Sequence, residues 1–217
     1  MVNKGQAFEL SGGRLCLDFA NTLEKRSTAR IELLESYTDL LSWSRQAGIL
    51  SAEEERQLSK RARARPREAE RALDRARRVR EALFAVFSQG DGFALEALRG
   101  ELSGAYRNPV LRRGPGYELV WEEDPGALDR MLGPVLRSAI EILTSPELGR
   151  LRVCDARDCD WLFLDESRNR SRQWCNMAVC GNRAKARRFY RRKRALKRRE
   201  NRGGRRFGGT RRKPSRE

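Results

Sequence analysis

The chain has 217 residues, 39% hydrophobic and 35% charged, with a formal net charge of +17 and no histidine. That length suits one ordinary domain plus a smaller module or tail, and the charged fraction puts part of the chain outside any core. No apolar run nears the roughly 20 residues that span a bilayer, and the opening MVNKGQAFELSGG lacks the apolar stretch of a secretory signal. A membrane partner is therefore not expected and a cytoplasmic location is, where structural disulfides are uncommon and cysteines that act together point to a metal.

In chain order, FELSGGRLCLDFANTLE reads as a short hairpin. Phe8 and Leu10 alternate before Ser11-Gly12-Gly13, and Leu15, Leu17 and Phe19 alternate after it. Within it Asp18, Asn21 and Thr22 gather polar groups beside apolar ones. Residues of these types commonly cap a helix and close a turn, and the alternative is the lining of a pocket for a small-molecule effector. Cys16 reads as a buried apolar residue. Ser36 with Asp39, and Ser51 with Glu54, have capping-box spacing and open two helices. Tyr37, Leu40, Leu41 and Trp43 supply the apolar face of the first. Pro66 sits where a first-turn proline belongs, ahead of a helix that is arginine-rich early and apolar late. A further helix covers FALEALRGELSGAY, YELVWE is a strand, and GALDRMLGPVLRSAIEILTS is a helix that Pro134 should kink or break.

The texture changes near residues 147–152. LRVCDARDCDWLFLD suggests a strand, a cysteine-bearing turn and a second strand. From about Ala178 one helix can run to about Arg199, since alanine, lysine and arginine form helices readily. Residues 200–217, with glycines, charge and little to bury, should form a disordered tail. The expected class is α+β, mostly helical. An N-terminal helical domain with a small sheet (1–146) precedes a four-cysteine module of hairpin plus basic helix (151–199).

Charge follows this division. Residues 1–150 hold 24 basic and 23 acidic side chains, residues 151–180 five of each, and residues 181–217 hold 18 basic and 2 acidic. Such asymmetry concerns partners rather than fold, and nucleic acid is the polyanion it suits. Cys154 and Cys159 are separated by four residues, as are Cys175 and Cys180. Tetrahedral zinc takes thiolates from pairs joined by short loops, so the four cysteines are candidate ligands of one closed structural zinc per chain, with iron or a redox dithiol as the alternatives. Such a site leaves no open coordination position for hydrolysis.

The segment CDARDCDWLFLDESRNRSRQWCNMAVCGNRAKARRFYRRKR resembles the CGNR zinc finger, named for the tetrapeptide Cys180-Gly181-Asn182-Arg183. The likeness runs from about Leu151 to Arg194 and includes all four paired cysteines, Trp161, Ser167, Arg168, Asn169, Trp174 and Met177. Residues 8–145, with LCLDFANTL near their start, are similar to the ABATE domain that usually precedes this finger. Together these resemblances imply a bacterial stress-response transcriptional regulator whose finger binds DNA. The arginine- and glycine-rich extension past Arg194 departs from that pattern.

On a helix from Ala178, Arg183, Arg187, Arg191, Arg194 and Arg198 share one face, while Arg188, Arg192 and Arg199 widen the charged surface. Asn182, Arg183, Lys185, Arg187, Arg188, Arg191, Arg192 and Arg194 are the candidate nucleic-acid contacts, most of them to phosphate. Asn182 and Arg183, next to the last cysteine, have holding the knuckle through hydrogen bonds as their alternative role. Ala186, Phe189 and Leu196 form a narrow apolar stripe expected to pack on the knuckle. RNA remains the alternative polymer, because Arg202-Gly203-Gly204 and Arg206-Phe207-Gly208-Gly209 resemble RGG boxes. The first 146 residues suggest sensing or homodimerisation. Without histidine, a Walker loop, GxGxxG or GxSxG, catalysis is not expected. An enzyme of unrecognised type in the N-terminal domain, with the finger as locator, is the remaining alternative.

Overall fold

The computed structural model describes residues 7–204, with side chains described for 7–195. The chain divides into two compact units, one running to Cys175 and the other starting at Asn176. Among the described residues are seven α-helices and three two-stranded antiparallel sheets, so the α+β, mostly helical class holds.

The first unit opens with a correction. Residues Leu15–Ala20 form a short helix, α1, and not the second strand of a hairpin. Cys16, Leu17, Phe19 and Ala20 are all buried, so apolar side chains wrap most of the helix instead of lining one strand face. A run this short reads alike in either period. The Gly12-Gly13 turn is present and feeds α1. Gly13 has φ +86°, in the left-handed region, and a Cβ on Gly12 would lie 2.9 Å from Leu17 Cβ. A two-residue ladder pairs β1 (Leu23–Glu24) with β2 (Ile31–Glu32).

Helices α2 (Tyr37–Gln46) and α3 (Ala52–Ala64) begin at complete capping boxes, Ser36 with Asp39 and Ser51 with Glu54. Helix α4 (Pro66–Gln89) has its proline in the first turn and Gly90, at φ +66°, closing it. Its 24 residues span about 36 Å. Ala69, Ala72, Leu73, Ala76, Val79, Leu83, Val86 and Phe87 make one buried stripe along it, so the apolar face runs its whole length and small alanines carry the early half. Arg80 lies in that stripe at 2% exposure, its guanidinium paired with Glu32 at 2.5 and 2.7 Å.

Helix α5 (Gly92–Gly104) is capped by Asp91. The expected strand appears as β4 (Tyr117–Trp121), paired with β3 (Pro109–Arg113), which the sequence did not signal. Helix α6 begins at Leu132 and runs to Leu143, so Pro134 falls in its first turn and breaks nothing. A first-turn N–H has no intrahelical partner to lose.

After a 3₁₀ turn at Pro146–Arg150, strands β5 (Leu151–Val153) and β6 (Leu162–Leu164) pair as expected. The change of texture near 147–152 is not a break in packing. Leu162 and Leu164 belong to the same hydrophobic core as α1, α2, α4 and α6. The Leu164 N–H donates to the Gly12 carbonyl at 2.9 Å, the Ser27 hydroxyl to Asp160 at 3.0 Å, and Arg14 pairs with Glu147 and Glu166.

The second unit begins with a π turn, Met177–Gly181, followed by α7 (Asn182–Gly204). The basic helix therefore starts four residues later than Ala178, and it continues past Arg199. Of the expected tail, residues 205–217 lie outside the described residues, as do the side chains of Leu196, Arg198 and Arg199.

Candidate metal centre and basic helix

Backbone bonds shape the first cysteine loop: the Cys154 N–H donates to Trp161 O and the Cys159 N–H to Ala156 O, both at 2.9 Å. Asp165, fully buried, organises the segment that follows. It accepts from the Ser167 N–H at 2.9 Å, the Ser167 hydroxyl at 2.5 Å and the Arg172 N–H at 3.0 Å. These bonds, with that of the Ser167 hydroxyl first, hold its carboxyl below the ordinary range. Arg172 then lies over the Phe163 ring at 4.6 Å and donates to the carbonyls of Trp174 and Cys175. The loop that reads as merely polar in sequence is thus tied by hydrogen bonds, and the roles of Asp165 and Arg172 are not legible there because a carboxylate and a guanidinium in a charged stretch give no local signal.

The four sulfurs of Cys154, Cys159, Cys175 and Cys180 lie within 4.8 Å of one another, and all four residues are buried. Cys159 Sγ and Cys175 Sγ are 3.6 Å apart. A tetrahedral zinc with bonds of about 2.3 Å sets its sulfurs about 3.8 Å apart, so the donor set fits that metal in number, type and spacing. Without a cation the crowded thiols oppose one another. Hydrogen bonds from the Cys159 thiol, then Cys175, hold Cys154 far below the ordinary thiol range, while the proximity of Cys154 pushes both Cys159 and Cys175 up. The Cys154 thiolate is favoured and those of Cys159 and Cys175 are resisted. A divalent cation removes that resistance, which is why four buried thiols at this distance suit a metal. The Cys175 N–H also donates to Cys154 Sγ at 3.4 Å.

Asn176 builds the second loop. Its Oδ1 accepts from the N–H groups of Ala178 at 2.9 Å and Val179 at 3.2 Å. Its carbonyl accepts from those of Cys180 and Gly181, at 2.9 and 3.2 Å. An asparagine ahead of an apolar run is the usual cap signal, and a helix read from Ala178 passes over it. Asn182 and Arg183 serve the same turn: the Asn182 amide donates to Ala178 O at 3.0 Å, and Arg183 Nη2 donates to Cys180 Sγ at 3.2 Å. Such a donor steadies a metal-bound thiolate.

Lys185, Arg188, Arg191, Arg192 and Arg194 are exposed on α7, with Arg187 half-buried. Of the expected apolar stripe, Ala186 and Phe189 are left exposed, Phe189 at 62%, and Phe189 meets Tyr190 edge-on at 5.6 Å, while the Leu196 side chain lies outside the described residues. The helix starts later than Ala178, and the turn before it satisfies its own backbone through Asn176.

Asp18, Asn21 and Thr22 are engaged within the first unit. Asp18 accepts from the Gly12 N–H at 2.8 Å; burial pushes its carboxyl up to about 6. Asn21 Nδ2 donates to Leu162 O at 2.9 Å, and its Oδ1 accepts from the Leu162 N–H at 2.8 Å. The Thr22 hydroxyl donates to Phe19 O at 2.7 Å.

Comparison with known proteins matches residues 150–193 to the CGNR zinc finger. Residues 13–146 match the ABATE family, described as "Putative stress-induced transcription regulator". No curated protein matches the chain, and no helix among the described residues is long and apolar enough to cross a membrane. With four clustered thiols as the site of one zinc and a family match over most of its length, the chain belongs to the ABATE family and carries a CGNR zinc finger behind that domain.

Proposed function

We propose that the protein is a zinc-dependent DNA-binding regulator of transcription in a bacterial stress response, acting in the cytoplasm and without catalysis of its own. The observation that carries this reading is α7: a helix opening directly from the turn that bears Cys180, with basic side chains exposed along it. Solvated helix faces normally mix charge signs; from Gly181 to Glu200 there is a single acid. Zinc bound at Cys180 fixes the first turn of that helix, so less ordering entropy opposes binding. Lys185, Arg187, Arg188, Arg191, Arg192 and Arg194 then meet phosphates, while Asn182 and Arg183 keep the turn in shape. The N-terminal domain senses an effector or mediates dimerisation.

The test is metal content of the full chain by mass spectrometry, with titrations against duplex DNA and RNA of matched length at several salt concentrations. The expected result is one zinc per chain, lost in Cys180→Ser, and tighter binding to duplex DNA. With on the order of 6–10 phosphate contacts, affinity should fall about three to five decades between 50 and 200 mM salt. Equal or tighter binding to RNA would transfer the reading to an RNA- or ribosome-associated role.

A further inference from the structure

Helix α7 carries two exposed aromatic rings in its most charged stretch, Phe189 and Tyr190, each 62% exposed. In water such rings gain nothing, and the tyrosine hydroxyl does not explain the phenylalanine. Their angular position does suggest a use. At about 100° per residue, setting Arg183 at zero, Arg187, Arg191 and Arg194 fall between roughly 20° and 80°. By the same step Arg188, Arg192 and Lys185 fall between roughly 140° and 200°. Phe189, Ala186 and Tyr190 lie between roughly 240° and 340°, with Lys193 among them. The aromatic sector is therefore bordered by a basic flank on each side.

Resting on the DNA-binding reading above, we infer that Ala186, Phe189 and Tyr190 face the floor of the major groove and contact thymine methyl groups, while the two basic flanks reach the phosphate walls on either side. Charge complementarity selects the occupant: residues 181–217 hold 18 basic and 2 acidic side chains. A major groove about 12 Å wide admits a helix, and the thymine C5 methyl is its one apolar mark. The edge-on arrangement of the rings, 74° between planes, covers part of a ring face, so the pair does not form a double platform for stacking unpaired bases. It leaves ring edges and one face open, which a methyl group can meet. Ala186 adds a small surface that lets the backbone approach closely.

The test uses the full zinc-loaded chain and three 24-base-pair probes: alternating A·T duplex, the same duplex with deoxyuridine for thymidine, and alternating G·C duplex. Removing the methyl should weaken binding about fourfold for each methyl buried. The double variant Phe189→Ala, Tyr190→Ala should bind the A·T and A·U probes equally, with zinc content and the slope of affinity against salt unchanged. Lysine and arginine substitutions, by contrast, change that slope. Equal affinity of the unmodified protein for the A·T and A·U probes would overturn the inference while leaving DNA binding intact. A methyl preference that survives in the double variant would also overturn it. Failure to bind any of the three duplexes would sink the DNA-binding reading itself. The comparison of A·T with A·U needs no variant, so it stands even if the double substitution disturbs the helix.

Discussion

The single family match over residues 150–193 contains two regions of opposite physical character. Strand β6 is buried throughout, with Leu162, Phe163 and Leu164 at 0–2% exposure. Its backbone is tied to Asn21 and Gly12 across more than 140 residues of chain. Helix α7 is exposed at Lys185 and from Arg188 to Ala195. The hairpin half of the finger is part of the N-terminal core, and the helical half is exposed over most of its described residues. A module defined by sequence is thus not a module defined by packing: the compact unit ends at Cys175. The first cysteine pair stands on a hairpin anchored in that core, whereas the turn at Cys180 is held by bonds from Asn176, Asn182 and Arg183.

Deleting apolar atoms sharpens the contrast most. Leu162→Ala should cost roughly 2–5 kcal/mol of unfolding free energy, since it empties a fully buried site. Phe189→Ala, a larger deletion, should change it by less than about 0.5 kcal/mol. Urea melts of the zinc-loaded chain measure both, and equal costs would dissolve the distinction. Next comes the seam. Asn21→Ala leaves the buried N–H and C=O of Leu162 without their amide partner and should cost about 1–3 kcal/mol. A loss of effector response with full stability would instead give Asn21 a binding role.

The smallest effect is one of pH. Asp18 titrates at about 6 in the fold against an ordinary value near 3.8, so the folded state holds a proton that the unfolded chain has released. Its contribution to stability is present below about pH 4 and is lost as pH rises through about 6. Asp18→Asn keeps an acceptor for the Gly12 N–H without the titration. The difference in stability between the two proteins should therefore shift in favour of the asparagine variant across that window and be flat above it. A difference that grows in favour of aspartate with rising pH would contradict the burial.

What could be read from sequence was what local chemistry dictates. The capping boxes at Ser36 and Ser51, the first-turn Pro66 and the paired cysteines each depend on residues a few positions apart. Strand alternation misled at Leu15–Ala20, where burial on nearly all sides erases the difference between periods. Pro134 misled because its effect depends on where the helix begins, and Met131 and Leu132 carry no start signal. The roles of Asp165 and Asn21 were hidden for a different reason: what they bond is set by the tertiary fold. Phe189 reads as part of a packing stripe because an apolar residue ordinarily seeks apolar company, and a helix of arginines offers little of it.

Gly181 is buried and α7 begins at the very next residue, so no slack separates the last cysteine from the basic helix. The distance from sulfur to arginine is therefore counted as well as composed. One alanine inserted after Gly181 would preserve every charge and every ligand, yet turn all that follows by roughly 100° and advance it by about 1.5 Å. Composition gives this helix its attraction to a polyanion; phase decides which of its sides a partner meets.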